Sequence, residues 1–187
     1  MKRKENIEEL LIVVDMVNGF IREGVMSSKN IESIIPRIKE LILKYKDEGI
    51  AFIKDTHEKD ALEFKKFPPH CIKGTTESEL VDELKPFEKD ALVYEKNSTS
   101  TIFSPKFMEY INSMKKLREV IVTGCCSDIC VLNLAIPLTN YFDQNNRDVN
   151  VCVVKDAIET FDAPLHNAKE YNEMSLKLMK QAGIRII

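Results

Sequence analysis

Short, unbroken apolar runs constrain this chain more than any other feature. Leu10-Leu11-Ile12-Val13-Val14 ends at Asp15, and Val120-Ile121-Val122 ends at Thr123-Gly124. A run without a polar residue at every second position is buried on both faces, the habit of strands in a parallel sheet covered by helices. On this basis strands are expected at 9–15, 51–53, 91–94, 119–124, 149–154 and 184–187. The segments between them have helical spacing. In 29–48, Ile31, Ile34, Ile35, Ile38, Leu41, Ile42 and Tyr45 recur at intervals of three and four. Pro36 sets the firm start of that helix, and Gly49 reads as its C-cap. Further helices are expected at 104–116, 127–142 and 165–182, the last stopped by Gly183. The expected fold is therefore α/β: a single domain over residues 1–187, with a mainly parallel six-stranded sheet and helices on both faces. Residues 58–88 break the alternation, as a long irregular excursion with one helical turn near 77–84. A loop of that length inside a compact domain is usually functional.

Composition excludes several classes. The 187 residues are 44% hydrophobic and 30% charged, with a net charge of −3 and acids and bases interspersed. That balance argues against a dedicated nucleic-acid surface. The opening MKRKENIEELLIVVDM superficially resembles a signal peptide, but its apolar run of 10–14 is too short for the hydrophobic region of one. No segment approaches the roughly 20 apolar residues of a membrane span. Five cysteines, mostly in apolar surroundings and without an export signal, fit reduced thiols in a cytoplasm. Neither G-x-G-x-x-G nor G-K-[ST] is present, which weakens a nucleotide-binding reading. Apolar helix faces such as 31–43 leave a homo-oligomer open.

Ligands of open parallel sheets bind beyond the C-terminal ends of the strands. Asp15, Asp55, Lys96 and the cysteine-rich start of 125–130 all fall there: two acids, a base and a group of thiols. Cys130 opens the first turn of a helix, where a thiolate is stabilised, and a neighbouring cation and carboxylate would complete a nucleophile. Backbone N–H groups of the turn 126–130 are placed to cradle an oxyanion. Cys152 reads as core, Cys125 and Cys126 as small buried residues, Cys71 as packing beside the loop, and Asp128 as an acid at a helix N-terminus. A second group precedes it. Lys54-Asp55-Thr56-His57 carries an acid and an imidazole two apart, so both project from one face of a strand. Glu63 and His70, in Phe67-Pro68-Pro69-His70, bring the set to four N/O ligands. Such a set suits one divalent ion, zinc first, with manganese or iron as alternatives. Glu58 and Asp60 rival Glu63 for the fourth place.

At this point the chain resembles the isochorismatase-like cysteine hydrolases. Val13-Val14-Asp15-Met16-Val17-Asn18-Gly19-Phe20 is similar to their N-terminal strand motif. Tyr94-Glu95-Lys96 is similar to the strand carrying their lysine, and Val122-Thr123-Gly124-Cys125-Cys126-Ser127-Asp128-Ile129-Cys130-Val131 to their nucleophile segment. Within that superfamily, Asp55-x-His57, Glu63 and Phe67-Pro68-Pro69-His70 look like the metal loop of the nicotinamidase (pyrazinamidase) branch. Phe67 stands where tryptophan is frequent, and Glu63 where many members have a third histidine. The resemblance implies hydrolysis of nicotinamide to nicotinate and ammonia through a thioester on Cys130, within NAD salvage. It implies Asp15 as proton acceptor, Lys96 as stabiliser of the thiolate, and the N–H groups of Cys126 and Cys130 as oxyanion hole. It further implies a cis peptide before Cys126, Phe20 and Phe67 around the substrate ring, and 98–101 along the pocket. Another small amide as substrate, or a catalytically silent relative, are the competing expectations.

Overall fold

The computed structural model describes residues 6–187, so residues 1–5 of the expected domain lie outside it. Its strands are β1 (Glu9–Val14), β2 (Gly49–Asp55), β3 (Leu92–Lys96), β4 (Glu119–Cys125), β5 (Asn150–Glu159) and β6 (Arg185–Ile186). They form one six-stranded sheet in the order β3-β2-β1-β4-β5-β6, and every neighbouring pair is parallel. The helices are α1 (Asn18–Ile21), α2 (Lys29–Glu32), α3 (Ile35–Lys44), α4 (Lys85–Glu88), α5 (Phe107–Ser113), α6 (Leu132–Gln144) and α7 (Ala168–Gln181). Among the described residues, no helix is long and apolar enough to cross a membrane.

The unbroken run in β1 is buried on both sides because alternate residues enter different cores. Leu10, Ile12 and Val14 join Phe107, Ile111, Leu134, Leu138 and Met179 from α5, α6 and α7. Leu11 and Val13 join Ile31, Ile38 and Ile42 from α2 and α3. A polar residue at any of these five strand positions would leave a group unpartnered in one core or the other.

Several local expectations change. The helix over 29–48 divides, with Pro36 in the first turn of α3. Gly49 is not the C-cap of that helix. It opens β2 opposite Leu10, and a Cβ there would stand 3.0 Å from both Ile7 and Leu10 side chains. The helix over 104–116 is trimmed by Lys106, at φ 65°, and by Met114, at ψ 85°. β5 runs five residues past its expected end, to Glu159, with a register shift against β4 between Val122 and Gly124. In the excursion 58–88, single turns form at Leu62–Lys65, Thr76–Ser78 and Lys85–Glu88.

β1 lies where strand order reverses, with β2 and β3 on one side and β4 to β6 on the other. This is the place where side chains from neighbouring strand ends converge in a parallel sheet.

Candidate active site

Four adjacent strand ends deliver the site. Asp55 closes β2, Lys96 closes β3 directly opposite it, and Asp15 follows β1. Asp15 turns out of the strand at φ 52°, a left-handed conformation that Asp tolerates better than most residues. Its N–H donates to Ile53 O at 2.9 Å, which fixes the turn to β2. After β4 the chain enters a widened helical turn, Ser127–Val131, before α6. The turn is wide because the N–H groups of Ile129 and Val131 both donate to Cys126 O, each at 3.1 Å. The Cys125–Cys126 peptide is cis. Gly124 makes this crossing feasible. At φ 107° a Cβ would lie 2.0 Å from Val14 O, so only glycine brings the Ser127–Val131 turn this close to Asp15.

Lys96 is the hub. Its Nζ lies 2.9 Å from Asp15 Oδ2, 2.7 Å from Asp55 Oδ1 and 3.7 Å from Cys130 Sγ. All of these side chains are buried. Burial lifts the Asp15 carboxyl to about 6, against the pull of Lys96 and with the help of Asp55's charge. Burial also acts on Asp55, but Lys96, His57 and His70 outweigh it and hold that carboxyl below the usual range. The two carboxylates therefore differ in role: one stays ionised while the other exchanges a proton near neutrality. Burial likewise raises the Cys130 thiol, with Lys96 opposing. A thiol raised in this way calls for an adjacent base to activate it.

Beside this hub, Asp55, His57 and His70 converge, their ligand atoms all within 4.8 Å of one another. Both imidazoles present Nε2 to Asp55 Oδ2, at 3.0 Å and 3.1 Å. Their other nitrogens are held by acceptors. His70 Nδ1 donates to Pro68 O at 2.8 Å, and His57 Nδ1 faces Asn97 Oδ1 at 3.3 Å. The Asn97 amide is oriented by the Glu58 N–H, which donates to the same oxygen at 3.0 Å. A metal takes a lone pair from each Nε2, which leaves the ring proton for Nδ1, where Pro68 O and Asn97 Oδ1 stand as acceptors. Two imidazoles and a carboxylate, buried and braced from behind in this way, fit a borderline divalent ion. Glu63 stands next to this trio with its carboxylate already engaged. Thr99 N–H donates to one oxygen at 3.0 Å and Thr99 Oγ1 to the other at 2.8 Å. Glu58 and Asp60 are exposed.

A cleft of about 390 Å³, mouth included, opens onto both groups. Phe20, Phe67, Glu63, His70 and Asp55 line it together with Cys126, Ile129 and Cys130. Phe20 and Phe67 flank His70 with ring centroids 5.5 Å and 6.4 Å away. Of the segment 98–101, Thr99 lines the cleft. Cys71 and Cys152 are buried away from it, and all five cysteines are free thiols. Three participants escaped the sequence: Asn97, Met26 and Phe161. Asn97 had a signal, since it follows Lys96 directly and shares its strand end; Met26 and Phe161 had none. Asp128 is more than a helix-end acid, because it pairs with His166 at 2.9 Å.

The isochorismatase domain model matches residues 9–187. Nicotinamidase 1 of Arabidopsis thaliana is 34% identical over 183 residues, covering 86% of this chain and 72% of that protein. The pyrazinamidase/nicotinamidase of Streptococcus mutans superposes with a TM-score of 0.80 at 25% identity, over 96% of this chain and 100% of the other. The pyrazinamidase of Pyrococcus horikoshii, solved in complex with zinc, gives a TM-score of 0.77 at 26% identity over 96% and 98%. By the domain it matches and the sheet that carries Asp15, Lys96 and Cys130 together, the chain belongs to the isochorismatase family, on its nicotinamidase branch.

Proposed function

We propose that this protein is a metal-dependent cysteine amidohydrolase that converts nicotinamide and water to nicotinate and ammonia. The observation that carries the reading is Lys96 Nζ within reach of Asp15, Asp55 and Cys130 at once, because it joins a nucleophile with its base to a braced metal trio.

Asp15, ionised above about pH 6, takes the Cys130 proton. Lys96 holds the thiolate that results. The thiolate attacks the carboxamide carbon, and the N–H groups of Cys126 and Cys130 receive the oxyanion. Protonated Asp15 then gives its proton to the departing amine, which leaves as ammonia. Water, losing a proton to Asp15, attacks the thioester; the C–S bond breaks, nicotinate leaves, and Asp15 returns the proton to the sulfur to restore the Cys130 thiol. Phe20 and Phe67 hold the pyridine ring by their faces and edges. Asp55, His57 and His70 would hold the metal, with Glu63 as the fourth group. When bound, the metal supplies a Lewis-acid anchor for the pyridine nitrogen. Zinc is the first candidate, with manganese or iron accepted by the same donors.

The test is ammonia release from nicotinamide, with and without a chelator, followed by zinc or manganese. Release that is lost to chelator and restored by metal is the expected result. No release, from a protein whose Cys130 is still rapidly alkylated, would mean a cysteine hydrolase with another substrate.

A further inference from the structure

His166 is the third histidine of the chain and lies outside the metal trio. Leaving β5, the chain makes a tight return: Ala163 N–H donates to His166 O at 2.9 Å and His166 N–H to Ala163 O at 3.0 Å. The His166 ring lies nearly parallel to Phe161, 4.0 Å between centroids and 5° between planes. Tyr171 of α7 stacks on it at 3.7 Å and 28°. Two rings that near cannot share one face, so the three stack in the order Phe161, His166, Tyr171.

The edges of the imidazole are fixed as well. Nδ1 donates to Phe161 O at 2.9 Å, and Nε2 meets Asp128 Oδ2 at 2.9 Å. Both edges of the ring are thus tied, one to the backbone of Phe161 and the other to the turn that carries Cys130.

One end of the clamp lines the cleft and the other joins the turn that bounds it. Asp128 belongs to the widened turn that carries Cys130, and Phe161 lines the cleft with Cys126, Ile129 and Cys130. Phe161 thus shares the cleft with Cys130 and with the Phe20, Phe67 and His70 group. We propose that Phe161 is the wall that makes this site select planar acyl groups, and that His166, bonded to Asp128, is the residue that positions it. The inference rests on Cys130 being the nucleophile and adds a specificity determinant to that reading.

Asp128→Asn separates the positioning role from a charge requirement. The asparagine amide can turn its NH₂ toward a neutral Nε2, while Nδ1–H keeps the Phe161 carbonyl, so the clamp survives. His166→Ala removes it.

The experiment compares rates of Cys130 alkylation by N-phenyl iodoacetamide and by iodoacetamide, read by peptide mass spectrometry on the full chain. The wild type is expected to favour the aryl reagent. Phe161→Ala, Phe161→Leu and His166→Ala are expected to cut that preference roughly three- to tenfold, leaving the iodoacetamide rate within about twofold, and Asp128→Asn to keep it. A general loosening of the nucleophile turn would shift both reagents together, and that result overturns the assignment. An unchanged preference in both Phe161 variants overturns it too. If Asp128→Asn loses the preference as fully as His166→Ala, the positioning role falls. Failure of the nucleophile reading shows separately, as a wild-type Cys130 no more reactive than a free cysteine. Failure of nicotinamide as substrate leaves the ratio readable, since nicotinamide is not used.

Discussion

Replacing Lys96 by Met removes the cation and keeps most of the stem. The lysine touches Asp15 at 2.9 Å and Asp55 at 2.7 Å, and none of the three side chains is more than 3% exposed. Water does not screen these charges. Removing one partner of a buried ion pair costs about 3–5 kcal/mol, because the charge left behind is uncompensated. Here two carboxylates are left, and the cheaper response is for Asp15, already at about 6, to keep a proton to higher pH. A group whose folded pKa is raised holds its proton after the unfolded chain has lost it. Its contribution to stability is full at low pH and is lost as pH rises, by about 1.4 kcal/mol per unit. Urea unfolding in chelator should therefore show a Lys96→Met penalty of about 3–5 kcal/mol at about pH 7.5, smaller by about 2–3 kcal/mol at about pH 5.5. Adding Asp15→Asn should recover part of the loss, because a neutral amide needs no counter-charge. A penalty below about 1 kcal/mol, no change between the two pH values, or full additivity of the two substitutions would refute the view of these groups as one charge-balanced unit.

Cys130→Ala should abolish ammonia release while circular dichroism stays that of the wild type; substantial remaining amidase activity would remove Cys130 as nucleophile. kcat/KM should rise about tenfold per pH unit up to about 6 and then level, because Asp15 must be ionised to accept the thiol proton. A flat profile between about pH 5 and 7 would take the base role from Asp15. His57→Ala should strip bound metal and raise KM strongly, and Asn97→Ala, which unbraces His57 and frees the Glu58 N–H, should weaken metal affinity by about 10–100-fold. Unchanged metal content in His57→Ala, measured by elemental analysis, would break the ligand set.

The sheet was legible because burial on two faces writes itself as an unbroken apolar run, as in 10–14 and 120–122. The acids and the lysine at the strand ends were legible for the same reason, since a run closed by a charge marks where the sheet stops. What stayed hidden depends on contacts across the sequence. Nothing near residue 161 announces that its ring reaches Cys130's cleft, and nothing near Thr99 announces that it takes both oxygens of Glu63. The helix over 127–142 followed its periodicity except in the first turn, where two amides share the Cys126 carbonyl. Gly49 misled because glycine after a helix is a common stop signal, whereas here it opens a strand packed closely against Ile7 and Leu10.

The parallel order of the strands has a consequence for how the chain acquires its chemistry. Asp15 and Cys130 meet only through the pairing of β1 with β4, which joins Glu9 to Glu119 and Val14 to Gly124. Lys96 meets Asp15 only after β2 has bridged β1 and β3. Helical segments close local contacts, while parallel pairings must first close long loops and so form late. In refolding from urea, far-ultraviolet signal should return before rapid Cys130 alkylation does. Cys130 reactivity then reports completion of the sheet, and a chain truncated before β4 carries Asp15 and Lys96 without Cys130.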